Sequence, residues 1–321
     1  MAASWVFLKK SALHKPLIFA GRVEMKGIFS FSREKTTLIF KAPALYIMTL
    51  MPDVIFRRWM SRYDGVVLIY QMGKVASSTI YASLKQDPRL LVLHFHRMPG
   101  PNRESTNKRL GLTFRLRTLL HDLQGTTGYR LMRRFPEKTF LISLVRDPFS
   151  RNISGYFQNL WRHGADGNVT ASEDHVQDVI RSIVTDYDHD VPLRWFEDEF
   201  RPATGIDVYD VPFDAFVKAG LSRDTKYPLL ILRTDLADKT KLTLLRTFLN
   251  RPDLTLQQSN TGETKFYADL YRAVKSEFKY PAEYVDQALG SKLMQHFFTR
   301  DERRELGLKY GASESSPGDA E

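Results

Sequence analysis

Val66-Val67-Leu68-Ile69-Tyr70 is followed by Gln71-Met72-Gly73-Lys74-Val75-Ala76-Ser77-Ser78-Thr79 and then by Ile80-Tyr81-Ala82-Ser83-Leu84. The first run is continuous, apolar and rich in β-branched and aromatic residues, with Gly65 before it. It predicts a buried strand of a parallel sheet. The last run has helical spacing. Strand, small-residue loop with a lysine, and helix are together the layout of a phosphate cradle, in which backbone N–H groups point at an anion. Ser77, Ser78 and Thr79 add hydroxyl donors, and Lys74 adds a point charge that can follow a phosphate or sulfate oxygen. The loop is not a Walker A motif. Gly73 is its only glycine, and Val75 stands where a magnesium-binding Ser or Thr would follow the lysine. An ordinary strand–helix turn with an incidental lysine is the plain alternative.

A second junction of the same kind lies further along. Thr139–Val145 (TFLISLV) reads as another buried strand and ends in Arg146-Asp147-Pro148-Phe149-Ser150-Arg151-Asn152-Ile153-Ser154-Gly155-Tyr156. Asp147 suits an N-cap and Pro148 a first helical position, so a helix is predicted from there to about Leu160. Arg146 stands at the strand's C-terminal end, where open α/β sheets bind ligands. Ser154, two turns into the helix, is on the side that can turn back toward it. An arginine fork plus a hydroxyl suits a terminal phosphate. A structural ion pair between Arg146 and Asp147 is the other reading.

Composition limits the chemistry. The 321 residues include no cysteine, which excludes disulfides, thiolate metal sites, iron–sulfur clusters and cysteine nucleophiles. The net charge is +10. Residues 1–62 hold eleven Lys/Arg and three acids, so they carry +8 of it. The rest is nearly neutral, which argues against a global nucleic-acid surface and for local anion sites. The basic excess predicts an N-terminal extension over 1–62, a domain over 63–311 and a disordered tail over 312–321. The apolar run Ala42–Met51 is too short to span a bilayer, and no secretory signal is evident. Peripheral contact with an anionic membrane through Tyr46–Met51 and Val54–Trp59 is one reading of the extension. An arm packed on the domain is another, and a translation start at Met48 or Met51 is a third. The expected location is the cytoplasm, with membrane association left open.

Gly73-Lys74-Val75-Ala76-Ser77-Ser78-Thr79 resembles the 5′-phosphosulfate loop of carbohydrate sulfotransferases, which use 3′-phosphoadenosine 5′-phosphosulfate (PAPS). The segment from Arg146 to Tyr156 is similar to their 3′-phosphate motif, and order and spacing fit. The chain also resembles a bacterial group of capsular polysaccharide synthesis proteins. The strong motifs cover about 30 residues. The resemblance implies an α/β, P-loop-like three-layer sandwich with a central parallel sheet flanked by helices. It implies PAPS as donor, a saccharide acceptor and no metal. Lys74 would then stabilise the transferred and leaving oxygens, residues 73–79 would hold the 5′-phosphosulfate, and Arg146 and Ser154 the 3′-phosphate.

Sulfuryl transfer needs a base for the acceptor hydroxyl. Leu90–Phe95 (LLVLHF) reads as a second strand carrying His94, with His96 just beyond. Residues i and i+2 share a strand face, so both imidazoles can enter one cleft. Uronyl 2-O-sulfotransferases have a similar His-x-His, and the resemblance implies a base here. Structural histidines or a metal pair are the alternatives, and Glu104 is a fallback base. A crossover helix is predicted over Leu110–Leu123, a capping box at Thr170–Glu173 opening a helix to about Thr185, a short helix at Arg194–Phe200, and a late strand at Leu229–Leu232. Trp195 is a candidate acceptor wall against core packing. Arg233 is a candidate cofactor contact against an ion pair with Asp235. Lys265, in a loop expected to close over the cofactor, is a candidate phosphate or acceptor contact against a solvated helix start. A nucleotide-triphosphate enzyme such as a kinase and a non-catalytic module for anionic glycans or membranes are the competing functions.

Overall fold

A computed structural model describes residues 46–47, 49–98, 112–158, 171–257 and 267–311. The chain falls into two compact units, Met1–Phe40 and Lys41–Glu321, and all described residues belong to the second. In chain order the elements are α1 (Asp53–Met60), β1 (Gly65–Tyr70), α2 (Ser78–Leu84), β2 (Leu90–Phe95), α3 (Leu112–Arg134), β3 (Thr139–Val145), α4 (Pro148–Gln158), α5 (Glu173–Asp186) and α6 (Val191–Trp195). A wide π turn over Phe196–Phe200 leads into α7 (Arg201–Thr204). Then come β4 (Ala219–Ser222), β5 (Leu229–Arg233), α8 (Asp238–Leu249), α9 (Ala268–Glu277), α10 (Ala282–Leu289), α11 (Lys292–Phe297) and α12 (Arg300–Tyr310).

The sheet has the order β2-β1-β3-β5-β4. The first four strands in that order are parallel, with Leu68 opposite Leu93 on one side and Leu141 on the other. The expected central parallel sheet flanked by helices is present, and β4 adds an antiparallel edge strand to β5. Every residue of β1 is buried, as a strand covered on both faces requires. The chain leaves β1 to one side for β2 and returns on the other for β3. That reversal opens a crevice at the C-terminal ends of β1 and β3, where the two motifs stand.

Helix α3 runs eleven residues past the predicted Leu123, through Gly125 and Gly128. These glycines let it press against β2. A Cβ on Gly125 would lie 1.9 Å from the Arg97 carbonyl oxygen, and one on Gly128 would lie 2.6 Å from the Phe95 ring. Close approach accounts for glycine inside a helix that propensity would end there. α1, expected within the basic extension, is part of the domain. Its Phe56 and Met60 are buried, and the Phe56 ring meets Phe135 at 5.5 Å. A second apolar cluster joins α4, α5, α9, α10 and α12 through Phe149, Ile183, Val274, Tyr284 and Tyr310, with Tyr280 among them. No helix among the described residues is long and apolar enough to cross a membrane.

Candidate functional site

The loop after β1 is anchored by Met72 and Val75, both buried, so the residues between and after them are held in a fixed path. The left-handed turns fall on Lys74 (φ 76°) and Ala76 (φ 52°). Ser77 is right-handed at φ −75°. A left-handed residue followed by a right-handed one aims successive N–H groups to one side, the geometry of an anion nest. Non-glycine residues in this region store strain of about 1–3 kcal/mol each, which the buried anchors on either side hold in place.

Two arginines from the β3–α4 junction clamp the loop. Arg146 donates from Nη1 to the Lys74 carbonyl at 3.0 Å and from Nε to Ser150 Oγ at 3.0 Å. Arg151, nearly buried, donates from Nε to the Gly73 carbonyl at 3.2 Å and from Nη1 to Asn152 Oδ1 and the Tyr187 hydroxyl. Asp147 accepts from the Ser150 N–H at 2.7 Å and from its hydroxyl. The hydroxyl beside Arg146 is therefore Ser150, one turn earlier than the predicted Ser154. Ser154 Oγ instead shares a hydrogen bond with the Tyr271 hydroxyl at 2.8 Å.

Gln71, fully buried, links the loop to β2. Its Nε2 donates to Ser77 Oγ at 2.7 Å and to His94 Nε2 at 2.8 Å, and Ser77 Oγ lies 2.8 Å from the same His94 nitrogen. An amide N–H only donates, so His94 Nε2 accepts here and its proton resides on Nδ1. His96 Nδ1 lies 3.0 Å from the Gln71 carbonyl. A carbonyl only accepts, so His96 also carries its proton on Nδ1, which puts the basic lone pair on Nε2. The two rings are 5.3 Å apart and perpendicular. The Cδ2 edge of His96 lies beside the loop, 3.9 Å from where a Gly73 Cβ would be. The structure thus brings Gly73, Lys74, Ser77, His94, His96 and Arg146 together, while Ser78 is exposed and Thr79 half-buried on α2.

A cleft of about 530 Å³ opens beside the loop, lined by Ala76, Arg146, Ser150, Lys218, Arg233 and Glu302 among others. Its far wall is an ion-pair network. Arg233, 3% exposed, donates to Asp235 (3.0 and 2.6 Å) and to Glu302 (2.5 and 2.8 Å), and its guanidinium lies 4.2 Å over the Phe298 ring. Lys218 joins at 2.7 Å to Asp235. Burial works against the charge on Arg233, but the bonds from Glu302 and Asp235 outweigh it and raise its pKa. Burial likewise works against the carboxylates, yet Arg233 and Lys218 hold both Asp235 and Glu302 below the usual carboxylate range. Glu302 also closes a capping box with Thr299 at the start of α12. Arg233 thus has its donors engaged in this network. Trp195 lies in the core, edge-on to Tyr70 at 5.1 Å and 6% exposed, so burial withdraws it from any acceptor wall. Glu104 and Lys265 lie outside the described residues, as do Thr170 and the tail 312–321. Among the described residues no cluster of three or more His, Asp or Glu side chains has the arrangement of a metal site.

Comparison with known proteins adds one likeness. A family model described as Putative capsular polysaccharide synthesis protein matches residues 177–299. No curated protein and no solved structure matches the chain. The matched segment holds β4, β5 and the Lys218–Arg233–Asp235 wall of the cleft. The loop after β1, the histidines and Arg146 precede it.

Gln71 and Arg151 are the site residues that motif reading passed over. The one signal for Gln71 is a polar residue directly after an all-apolar strand. Arg151 stands in the segment from Arg146 to Tyr156 with nothing in its spacing to say that it turns toward a loop 78 residues earlier.

Proposed function

We propose that the protein is a sulfotransferase that moves a sulfuryl group from PAPS to a hydroxyl of a saccharide acceptor in capsular or extracellular polysaccharide synthesis. The observation that carries this reading is the meeting, at the C-terminal ends of β1 and β3, of the nest at Lys74–Ser77 with Arg146. A double anion such as PAPS calls for two such sites, one of amides with a lysine and one of guanidinium with hydroxyls. The likeness of residues 177–299 to the capsular family supports the saccharide part of the reading.

Bound PAPS supplies an activated sulfuryl group on a phosphate leaving group. The N–H groups around Ala76 and Ser77 and the ammonium of Lys74 would hold its 5′ side. Arg146 with Ser150 would hold the 3′-phosphate, with Ser154 a turn further along α4. Lys74 stabilises negative charge as it develops on the leaving oxygen. His96 takes the acceptor proton at Nε2. Its Nδ1–H, given to the Gln71 carbonyl, fixes that tautomer and steadies the imidazolium that results. His94, whose Nε2 accepts from Gln71, acts as a positioning residue that couples Ser77 of the loop to β2.

Transfer of radiolabelled sulfate from PAPS to a panel of unsulfated bacterial polysaccharides tests this. Lys74→Ala is expected to lower transfer by about 100-fold or more with circular dichroism unchanged, as loss of a transition-state charge contact does. Full turnover by Lys74→Ala would contradict the mechanism.

A further inference from the structure

Of the eleven large apolar side chains exposed among the described residues, five lie within nine positions: Ile47 (58%), Leu50 (59%), Met51 (37%), Val54 (80%) and Ile55 (55%). A soluble surface scatters such residues singly, and a cluster of them marks a contact site. This cluster is presented by a backbone that is fixed on its inner side. Arg134 donates to the Thr49 and Met51 carbonyls at 3.1 Å each and pairs with Asp53. Arg130 donates to Thr49 Oγ1 at 3.2 Å and lies 4.7 Å over the Tyr46 ring. On α1, Phe56 and Met60 turn into the core, which leaves Val54 and Ile55 turned outward.

Charge identifies the partner. Arg57, Arg58 and Arg62 are exposed immediately after the apolar residues. The single acid between 46 and 62 is Asp53, and Arg134 neutralises it. Apolar side chains rimmed by arginines, with no unpaired carboxylate among them, match the acyl–headgroup boundary of an anionic bilayer. A second copy of the chain would bring the same arginines against each other. We propose that the 46–62 face is a peripheral docking surface for an anionic membrane. Ile47, Leu50, Val54 and Ile55 enter the interface, and Arg58 and Arg62 lie at the headgroups. The proposal is independent of the sulfuryl-transfer reading.

The full-length protein is sedimented with vesicles of phosphatidylcholine alone and of phosphatidylcholine with phosphatidylglycerol. Binding is expected to the anionic vesicles only. Ile47→Ser/Leu50→Ser/Val54→Ser/Ile55→Ser is expected to weaken it by about tenfold or more, and Arg58→Glu/Arg62→Glu to weaken it and remove its dependence on phosphatidylglycerol. If the fourfold variant melts early, Leu50→Ser/Val54→Ser takes its place. Unchanged vesicle binding by the serine variant would assign adhesion to other parts of the chain and overturn the proposal. So would an absence of binding by the unaltered protein, or a stable dimer in solution that the serine variant splits.

Discussion

His96 gives its Nδ1–H to the Gln71 carbonyl at 3.0 Å, and His94 receives the Gln71 side-chain amide on Nε2 at 2.8 Å. The two imidazoles are two residues apart on one strand face, and alternation alone treats them alike. Only the fold distinguishes them, because Gln71 belongs to the neighbouring strand's exit and meets each ring with a different group. In the proposed reaction His96→Ala should lower kcat by roughly 10²–10⁴-fold and flatten the acid limb of the kcat/KM profile, where protonation of the base stops turnover. His94→Ala should cost less and keep that limb. The pH–rate profiles of the two variants check this, and an acid limb lost in His94→Ala but kept in His96→Ala would reverse the roles. Gly73, Lys74 and Arg146 stand out as candidates from spacing because anion chemistry restricts residue types there. The partner of Ser154 is not visible that way: its hydroxyl meets Tyr271, 117 residues away.

At the scale of elements, α3 and α12 are fastened to the sheet by different physics. α3 relies on close approach. Gly125→Ala would drive a methyl into the Arg97 backbone, which follows His96 directly. It should destabilise the fold by about 1–3 kcal/mol as overpacking does, read as a lower urea midpoint; an unchanged midpoint would mean α3 gives way freely. α12 relies on charge, through Glu302 on Arg233. Asp235 and Glu302 have depressed pKa values, so their contribution is complete above the ordinary carboxylate range near about 4 and is lost as pH falls through the lower folded values. Lys218 and Arg233 are shifted up, so their part is complete below their ordinary values and is lost only in strong alkali. Urea midpoints followed from about pH 6 to about pH 3 should therefore fall more steeply for the natural protein than for Arg233→Met. Parallel curves would show that the network contributes nothing. Strands β2 (LLVLHF) and β3 (TFLISLV) were legible to the residue, since each is a short, mostly apolar run of strand length. β4 was not: Ala219–Ser222 is four residues with a glycine, and it pairs with β5 where Gly220 also admits the Pro212 carbonyl within 2.6 Å of where a Cβ would be.

Across the whole molecule, one sheet brings together motifs that are 72 residues apart, and the order β2-β1-β3-β5-β4 sets both at its crevice. Sequence could give the motifs and the fold class, because buried parallel strands and their C-terminal junctions are local patterns. It offered the Arg233–Asp235 pair as an alternative but could not give the rest of the cleft's far wall, which needs Lys218 and Glu302 of α12 to converge on it. Nor could it give the Tyr280–Tyr284–Tyr310 cluster, in which Tyr310 of α12 returns past α11 to join Tyr280 and Tyr284. The proposed function requires that the Lys74–Ser77 nest and Arg146 together hold a 3′,5′-bisphosphorylated adenosine. Calorimetric titration with 3′,5′-diphosphoadenosine, with ADP as control, tests it without knowledge of the acceptor. Micromolar-range binding is expected that requires the 3′-phosphate and weakens by about tenfold or more in Arg146→Ala, the cost of a charge-assisted phosphate contact. Equal binding of ADP, or no binding of the diphosphate, would contradict it.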